Sequence, residues 1–362
     1  MGQVLLLLGT RKGLFVGRSY DDRRSWQWDA PMFAMQEIYS VAVDLRAERP
    51  RLLVGATSPH WGPQVFRSDD LGETWSETPG GAIRFDEDSG AALERVWQLR
   101  PSPHDDGVVY AGTEPSALFR STDAGETFQI VRGLWDHPHR PTWVPGGGGQ
   151  AIHTIVPHPT DPETVTVAMS TGGVYRTEDA GVSWRPFNRG IGAEFIPGET
   201  PEYGQCVHKI AVDAADPDRM YAQNHGGVYR TDDAGRSWHS IAAGLPADFG
   251  FPIVTHPHRS GTIFVFPLVA DIERFPPGGK PAIWRSDDAG ETWRETGPGL
   301  PPQAHTAVLR DAFCSDLADP LGLYVGTRHG AVWISDDEGS TWVEARSNLP
   351  DVLCVRAAHV PG

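Results

Sequence analysis

An eight-residue motif recurs six times along this chain of 362 residues. In every copy the third residue is Asp, the fifth is Gly, the seventh is Ser or Thr, and the eighth is aromatic. The copies occupy residues 68–75, 121–128, 177–184, 231–238, 286–293 and 335–342. A degenerate seventh copy at residues 19–26 keeps Asp21, Ser25 and Trp26 but has Arg23 in place of the glycine. Consecutive copies begin 49 to 56 residues apart, a period typical of a propeller or a solenoid rather than of independent domains.

The chemistry of the motif indicates a turn rather than an active site. An Asp side chain can accept hydrogen bonds from backbone N–H groups of its own turn, Gly allows a positive φ, and the aromatic ring can pack beneath the turn. Each copy follows a short strand-like segment, such as Gly-Val-Tyr-Arg at residues 173–176 and 227–230. We therefore interpret the motif as the hairpin between the two outer strands of each repeat.

The two ends of the chain together supply one further repeat. Residues 3–28 contain three strand-like segments, and residues 351–360 form another that has no hairpin partner after it. Pairing the two segments leaves no free sheet edge, as a closed propeller requires. The sequence thus predicts an all-β fold, a single seven-bladed β-propeller domain over residues 1–362. Its 41 Gly and 31 Pro agree with a fold rich in turns.

Composition excludes several classes of partner. The chain carries 47 Asp and Glu against 31 Lys and Arg, a formal net charge of −16 at pH 7. Such a chain repels nucleic acid and anionic membranes, so we expect neither as a partner. The apolar run at residues 4–8 is too short for a signal peptide or a membrane span, which predicts a cytoplasmic protein. Its 3 cysteines are widely spaced and odd in number, which predicts reduced thiols.

The connections between the predicted strands differ in length on the two faces of the disc. Tight turns such as Ala-Ala-Asp-Pro at residues 214–217 share one face with the eight-residue motifs. Long connections lie on the other face, at residues 78–93, 132–150, 189–205 and 270–281. Long loops on one face of a rigid scaffold commonly carry the functional site. We expect the site on this loop-rich face, around the axis.

One register can be read across the innermost strands when they are aligned by the first residue of each tight turn. Five residues before that turn, near the predicted mouth of the axial channel, lie Tyr39, Trp97, His153, His208, Phe251, Asp311 and Cys354. The rim and the loops between second and third strands add further polar groups. The predicted substrate-binding residues are Arg11, Lys12, His60, Trp97, Gln205, Phe251 and Arg328.

Three histidines on the loop-rich face could hold a metal. His153 and His208 occupy the same register on neighbouring repeats, and His225 leaves the same repeat as His208. Three neutral imidazoles can bind a first-row divalent ion and leave a position open for water, so the predicted cofactor is a divalent transition metal. The sequence has no HExxH or CxxC pattern. The alternative is that these histidines only form a polar lining of the channel.

Carboxylates on the same face are candidates for acid–base chemistry. Glu94 and Glu114 come from adjacent connections of the third repeat, and paired carboxylates are the usual machinery of sugar hydrolysis. Asp311 is the acid of the channel register. We predict these three as the catalytic residues. Alternatively, Glu94 and Glu114 form ion pairs with neighbouring arginines.

The repeated motif closely resembles the Asp-box, or BNR, repeat of sialidases and other β-propeller glycosidases. Together with Gly-Thr-Arg-Lys-Gly at residues 9–13 and His-Trp-Gly-Pro at residues 60–63, it makes the chain similar to bacterial BNR-repeat proteins labelled glycosyl hydrolase or exo-α-sialidase. Sialidases add a Phe-Arg-Ile-Pro-like motif, which is absent here, a Tyr–Glu nucleophile pair, and three arginines that grip a carboxylate. The candidates for those arginines are Arg95, Arg274, Arg310 and Arg328.

Two functions from different classes follow from these observations. The first is a hydrolase or lyase with a small anionic or sugar-like substrate in the axial pocket. Arg11, Lys12 and Arg328 would neutralise the substrate, and a histidine-bound metal or a His–Glu pair would activate water or abstract a proton. The second is a non-catalytic scaffold that docks a protein or peptide on the loop-rich face. The metal content of the purified protein discriminates between them.

Overall fold

The protein folds into a ring of seven antiparallel sheets. The computed structural model describes residues 2–47, 49–147, 149–270 and 272–361. Within these ranges, seven four-stranded sheets form the blades of a propeller, and in blades 2–7 the strands follow chain order across each sheet. Blade 1 takes its first strand from the end of the chain. The prediction of an all-β, seven-bladed propeller is confirmed.

The first four blades contain strands β1 to β15. Blade 1 contains β1 (Gln3–Thr10), β2 (Gly13–Ser19) and β3 (Gln27–Trp28). Blade 2 contains β4 (Glu37–Asp44), β5 (Arg51–Ser58), β6 (Gly62–Ser68) and β7 (Ser76–Glu77). Blade 3 contains β8 (Arg95–Pro101), β9 (Val109–Glu114), β10 (Ala117–Ser121) and β11 (Gln129–Ile130). Blade 4 contains β12 (Ile152–Pro157), β13 (Val165–Met169), β14 (Gly173–Thr177) and β15 (Arg185–Pro186).

The remaining strands complete the ring. Blade 5 contains β16 (Val207–Val212), β17 (Met220–Asn224), β18 (Val228–Thr231) and β19 (His239–Ser240). Blade 6 contains β20 (Ile253–Thr255), β21 (Ile263–Val265), β22 (Trp284–Ser286) and β23 (Arg294–Glu295). Blade 7 contains β24 (Phe313–Ser315), β25 (Leu323–Gly326), β26 (Val332–Ser335) and β27 (Val343–Arg346). The last strand, β28 (Val352–Val360), belongs to blade 1.

Helical segments are short where the structure describes them. They are α1 (Arg132–Trp135) and single 3₁₀ turns at Glu87–Ser89, Arg140–Thr142 and Pro277–Gly279. None of the described helices has the length and apolar character needed to cross a membrane.

Strand β28 closes the ring by pairing with β1. The antiparallel ladder runs from Gln3 opposite Val360 to Thr10 opposite Val352. This pairing joins the two ends of the described chain within one sheet and occupies the β1 edge that faces the axis. The predicted closure by the C-terminal segment is therefore confirmed.

The core lies between the blades, as the four leucines of β1 illustrate. Successive side chains of a strand point to opposite faces of the sheet. Leu5 and Leu7 pack against blade 2 in one apolar cluster, whereas Leu6 and Leu8 pack in another cluster with blades 6 and 7. All four are fully buried. A continuous apolar run is therefore what a blade strand buried on both faces requires.

The eight-residue motif forms the same hydrogen-bonded turn in its six complete copies. In blade 4, Thr177 Oγ1 donates to Asp179 Oδ1 at 2.7 Å and accepts from the Gly181 N–H at 2.9 Å. The N–H and hydroxyl of Ser183 both donate to Asp179, at 2.9 and 2.6 Å. Equivalent bonds recur in the other copies. The prediction that the motif is a structural turn is confirmed.

The degenerate copy keeps this turn without its glycine. Arg23 has a φ of 70°, so an arginine occupies the left-handed position that favours glycine. Its guanidinium is buried against blade 7, where Nη1 lies 3.2 Å from Asp316 Oδ2. This ion pair joins blade 1 to blade 7 at the closure of the ring.

The motif turns and the tight turns share one face, as predicted. In blade 3 the Ala124 N–H of the motif donates to the Gly107 carbonyl of the tight turn at 2.7 Å. In blade 4 the Ala180 N–H donates to the Glu163 carbonyl at 2.8 Å. The same contact recurs in blades 5, 6 and 7. The turns between second and third strands therefore lie on the opposite face, with the long connections.

Candidate functional site

A cavity of about 1070 Å³ lies at the axis on the loop-rich face. Its lining residues come from all seven blades and include the starts of innermost strands and the turns between second and third strands. Parts of the connections 132–150 and 189–205 complete the wall, and the connection 270–281 contributes Arg274. No residue of the connection 78–93 is among the described lining residues. A site on this face therefore has the enclosure that a small-molecule ligand requires.

β-Bulges determine which side chains of the innermost strands enter the cavity. The ladder between each innermost strand and its neighbour skips one residue in blades 1 to 5. The skipped residues are Leu353, Tyr39, Trp97, His153 and His208. A bulge leaves its extra residue without a ladder partner and redirects the side chain. All of these residues except His153 line the cavity.

The structure brings together about half of the predicted site residues. Those that line the cavity are Arg11, Trp97, Glu114, His208, His225, Phe251 and Arg328. Those that lie outside its lining are Lys12, His60, Glu94, His153, Gln205 and Asp311. The second group divides into exposed residues and buried residues that have other partners.

Lys12, His60 and Glu94 are exposed and do not line the cavity. The backbone N–H groups of Lys12 and His60 donate to Thr10 Oγ1 and Ser58 Oγ, so both residues lie at the tips of turns. The Glu94 N–H donates to the Glu114 carbonyl at 2.8 Å and extends the ladder of β8 and β9. Glu94 and Glu114 therefore do not form the predicted pair of carboxylates within the cavity.

Gln205 has a structural hydrogen bond instead of a place in the cavity. It is fully buried, and its Nε2 donates to the Pro201 carbonyl at 2.8 Å. The amide thus anchors the connection 189–205, whose other residues reach the cavity.

Asp311 is buried outside the cavity lining in an ion-pair cluster. Its carboxylate contacts the Lys209 ammonium and lies 3.0 Å from Arg356 Nη2. Burial opposes its ionisation, but the charges of Lys209 and Arg356 hold the pKa of Asp311 far below the ordinary value. A carboxylate held by two cations outside the cavity lining is not placed to hold a bound water or act as a base in the cavity.

Acidic residues at the rim compensate two of the cavity arginines. Arg328 Nη2 lies 2.7 Å from Asp351 Oδ2, with a second bond from Nε at 3.1 Å. Arg11 Nε lies 3.7 Å from both Asp351 Oδ2 and Glu37 Oε1. These arginines therefore already have anionic partners.

Glu114 is held by two donors inside the cavity. Its Oε2 accepts from Arg95 Nη1 at 2.7 Å and from Trp97 Nε1 at 3.0 Å. The ion pair with Arg95 is the alternative that the sequence left open. Gly149, at a φ of 94°, approaches so closely that a Cβ there would collide with Glu114 Oε1. The glycine-rich loop thus packs against the carboxylate, and both residues line the cavity.

Arg310 differs from these arginines because no acidic side chain in the described part of the chain forms an ion pair with it. Its side chain makes no hydrogen bond or ion pair with any described residue, and its Nε is buried without an acceptor. The guanidinium carbon lies 5.6 Å from the ring centre of Trp97 and 5.2 Å from that of Phe251. Burial lowers the pKa of Arg310, and the nearby charge of Arg274 lowers it further.

Cys206, His208 and His225 form a compact cluster in the cavity wall. Their ligand atoms all lie within 4.8 Å of one another, and Cys206 Sγ is 3.6 Å from His208 Nε2. His208 Nδ1 lies 2.6 Å from the Gly250 carbonyl and must donate to it, so Nε2 carries the lone pair of a neutral ring. Burial, followed by the charge of Arg310, holds the pKa of His208 well below its usual value.

His153 lies apart from this cluster, so the structure does not bring the three predicted histidines together. The side chain is buried, with Nε2 3.2 Å from Ser170 Oγ and its ring 6.5 Å from that of Trp97. Cys206 lies there instead, with its ligand atom within 4.8 Å of those of His208 and His225. The local sequence signal was a Cys-x-His spacing, in which Cys206 directly precedes β16 and His208 is the bulged residue of that strand.

Cys354 is also displaced from its predicted place. The bulge in β28 falls at Leu353, which lines the cavity, whereas Cys354 is fully buried between blades. Burial raises the pKa of Cys354 to about 12. The cysteine in the cavity is Cys206 rather than Cys354.

Comparison with curated proteins finds distant relatives among xyloglucanases, while no family model matches the chain. The chain is 27% identical over 191 residues to a xyloglucanase from Paenibacillus sp, a match that covers 49% of this chain and 18% of that enzyme. It is 25% identical over 290 residues to a xyloglucanase from Hypocrea jecorina, covering 66% of this chain and 30% of that enzyme. The chain thus spans less than a third of the length of these relatives.

Solved structures share the fold at lower identity. A GH74 enzyme from Niastella koreensis aligns with a TM-score of 0.62 at 17% identity, over 92% of this chain and 54% of that one. YCF48 from Cyanidioschyzon merolae aligns with a TM-score of 0.54 at 13% identity, over 87% of this chain and 86% of that one. Since a propeller hosts unrelated functions, this likeness shows the architecture alone.

Proposed function

We propose that this protein is a hydrolase that acts on a small anionic sugar bound in the axial cavity. The sequence similarity to proteins named xyloglucanase supports hydrolytic chemistry and a carbohydrate substrate. The observation that carries the anionic class is the side chain of Arg310 in the cavity wall, which has no hydrogen-bond or ion-pair partner among the described residues.

The charges around the cavity support an anionic ligand. The described lining residues include five arginines, Arg11, Arg95, Arg274, Arg310 and Arg328, but only one carboxylate, Glu114. Three of these arginines have acidic partners, because Arg95 pairs with Glu114 and the rim acids Glu37 and Asp351 lie beside Arg11 and Arg328, so the argument for an anionic ligand depends on Arg310. The buried Nε of Arg310 is removed from water and has no hydrogen-bond acceptor among the described residues, which costs free energy. A carboxylate or phosphate bound in the cavity would offset this desolvation cost with charge-assisted hydrogen bonds. The guanidinium geometry suits planar oxyanions.

The aromatic wall and the size of the cavity support a sugar. Trp97 and Phe251 flank Arg310, and the ring centre of Tyr39 lies 4.8 Å from that of Trp97. Such rings offer apolar surface to the C–H faces of a sugar beside a cation for its acidic group. The volume of about 1070 Å³ leaves room for more than one sugar ring.

Glu114 is the proposed proton acceptor for the attacking water. Arg95 and Trp97 fix its Oε2, whereas Oε1 accepts no hydrogen bond from a described residue. In hydrolysis the bond to the leaving oxygen breaks, the oxygen of water takes its place, and Glu114 accepts the proton of that water. The leaving oxygen takes a proton from solvent.

Paired sugars that differ in one carboxylate test the proposal. Binding of glucuronate and galacturonate should be measured by calorimetry beside that of glucose and galactose, and turnover should be measured with 4-nitrophenyl glucuronide beside the glucoside. We expect the acidic member of a pair to bind and to be hydrolysed. Arg310→Met should weaken its binding about 10- to 100-fold, in line with a hydrogen bond to a charged group.

Arg328→Met is the matched control, because Arg328 lines the same cavity but is paired with Asp351. It should weaken binding less than Arg310→Met does. Equal binding of acidic and neutral sugars, or an Arg310→Met protein that binds normally, would contradict the anionic substrate. Binding without any turnover would favour the non-catalytic scaffold.

A further inference from the structure

We infer that Cys206, His208 and His225 form a zinc site whose open coordination position faces the substrate cavity. The site deepens the proposed function by placing a Lewis acid beside the anionic sugar. Only that catalytic role rests on the proposed function, since metal binding can be measured by itself.

The spacing of the donor atoms fits tetrahedral zinc. Typical bond lengths are about 2.3 Å to sulfur and about 2.0–2.1 Å to imidazole nitrogen, so a tetrahedral angle places the two donors about 3.6 Å apart. Cys206 Sγ and His208 Nε2 are separated by 3.6 Å. The donor atom of His225 lies within 4.8 Å of both. A shift of about an ångström in the His225 side chain would bring it to the same spacing.

Backbone groups of blade 5 and of the connection to blade 6 position the two histidines for this role. The His208 Nδ1–H donates to the Gly250 carbonyl at 2.6 Å, which aims the lone pair of Nε2 toward Cys206. Ligating histidines characteristically donate their second N–H to such a partner. The His225 N–H donates to the Cys206 carbonyl at 2.9 Å, so the turn after β17 is fixed beside the strand that carries the other two ligands.

The donor set and its surroundings favour zinc over copper. One thiolate and two imidazoles can hold either ion, but copper sites of this type add a weak axial ligand, commonly Met, and no methionine is among the described lining residues. With zinc, three protein ligands leave the fourth tetrahedral position for water or substrate. Cys206, His208 and His225 all line the cavity, so this position opens toward the bound ligand.

Arg310 acts on the site in two directions. Burial raises the pKa of Cys206, and the positive charge of Arg310 opposes that rise only in part. The charge of Arg310 also repels a divalent ion. An anionic ligand that pairs with Arg310 removes this repulsion, so zinc and glucuronate should each strengthen the binding of the other.

The competing interpretation is a metal-free pair in which the Cys206 thiol donates to His208 Nε2. The two interpretations differ in zinc stoichiometry and in the effect of replacing His225. A thiol–imidazole pair has no need of His225, whereas a zinc site loses a ligand with it.

The test is zinc content and affinity of the full chain after chelation and reloading. The purified protein is stripped with EDTA, dialysed against zinc and analysed by mass spectrometry for metal, with affinity measured by competition against a chromophoric chelator. We expect one zinc per chain. Cys206→Ser and His225→Gln should each weaken binding about 100-fold or more. His153→Gln, a buried histidine at the same register outside the cluster, should leave it unchanged.

The absorption spectrum of bound cobalt(II) identifies the ligands in the unmodified protein. This measurement does not depend on the variants, so it remains available if a variant fails to fold. Cobalt(II) bound at this site should show a thiolate charge-transfer band and the intense visible bands of tetrahedral geometry. A folded wild-type protein that takes up no stoichiometric zinc, or a cobalt complex without the thiolate band, overturns the inference. Glucuronate binding by the stripped protein tests the proposed function separately, so either idea can fail alone.

Discussion

Arg95 of β8 and Glu114 of β9 face each other across the ladder of blade 3, and their side chains meet again in the cavity, where Nη1 and Oε2 are 2.7 Å apart. Solvent partly screens the attraction between the two charges, because 33% of the Arg95 side chain is exposed, compared with 9% of the Glu114 side chain. The contact couples the wall of the site to the pairing of its strands.

Replacing either partner should destabilise the protein by about 1–2 kcal/mol, because the remaining charge loses its partner in a poorly hydrated place. Arg95→Met, Glu114→Gln and the double variant should be compared by urea unfolding. The double variant should lose less free energy of unfolding than the sum of the losses of the two single variants, and the difference, the coupling energy, should be about 0.5–2 kcal/mol. Strictly additive effects would show that the contact contributes nothing to stability.

Gly149 should resist substitution more strongly than a glycine of similar backbone conformation in open space. Gly149→Ala adds left-handed strain, about 1–2 kcal/mol, and also a collision with Glu114 Oε1. Gly198 has a φ of 100° with nothing within 4 Å of its added Cβ, so Gly198→Ala carries the strain alone. Thermal melts of the two variants should show the larger loss for Gly149→Ala. Equal losses would mean that the loop moves away freely.

Asp311→Asn should be among the most destabilising single changes near the axis. It leaves the charges of Lys209 and Arg356 uncompensated beside that of Arg100, for an expected loss of about 3–5 kcal/mol in urea unfolding. Adding Lys209→Met to this variant should restore part of the loss. If Asp311→Asn unfolds like the wild type, water or ions already screen the cluster.

The number of blades and the closure of the ring are readable from the sequence, because the motif repeats with the period of a blade and its turn depends on local chemistry. Even Arg23, which replaces a glycine, keeps the left-handed backbone at a φ of 70°. The lining of the cavity is harder to predict. A bulge displaces the register by one residue, so Leu353 rather than Cys354 lines the cavity.

The sequence pattern also does not predict which side chains of this register are covered by their neighbours and so do not reach the cavity. His153 occupies a bulge like His208, yet it lies outside the lining, beside Ser170 and Trp97. Arg310 could be named as a candidate, but the sequence does not show that its guanidinium has no acidic partner among the described residues, because that depends on contacts between blades. The Cys206–His208 spacing is a local signal for the cluster, whereas the approach of His225 depends on the fold.

The motif aspartates predict a specific loss of stability in acid. Hydrogen bonds from Thr74 and from Ser183 lower the pKa values of Asp70 and Asp179 to about 2, below the ordinary value of 3.8. A lowered pKa stabilises the fold above the unfolded value, and this contribution is lost as the pH falls from about 4 toward 2. Thermal midpoints measured from pH 7 to 2 should therefore drop in that window.

Asp179→Asn should flatten the drop, whereas Asp88→Asn should not. Asp88 is exposed, and its side chain makes no hydrogen bond to a described residue. An unchanged acid profile for Asp179→Asn would exclude the motif as the source of the pH dependence.

Removing β28 should abolish cooperative unfolding. A chain that ends at residue 350 loses every ladder contact of β1 with β28 and uncovers the inner edge of blade 1. Removal of residues 361–362 alone is the control and should leave the thermal transition unchanged. A shortened chain that melts like the full one would contradict closure of the ring by this strand.

Gln3 and Val360 are partners across β1 and β28, so the ends of the described strands are neighbours in space. A sheet ring joined in this way has no structurally privileged starting point. A circularly permuted gene, with a short linker between these residues and new termini in the connection 78–93, would encode the same propeller. That connection contributes none of the described lining residues, so the permuted protein would retain the cavity although its chain begins and ends in a different blade. The order in which the blades are synthesised is thus separable from the architecture they build.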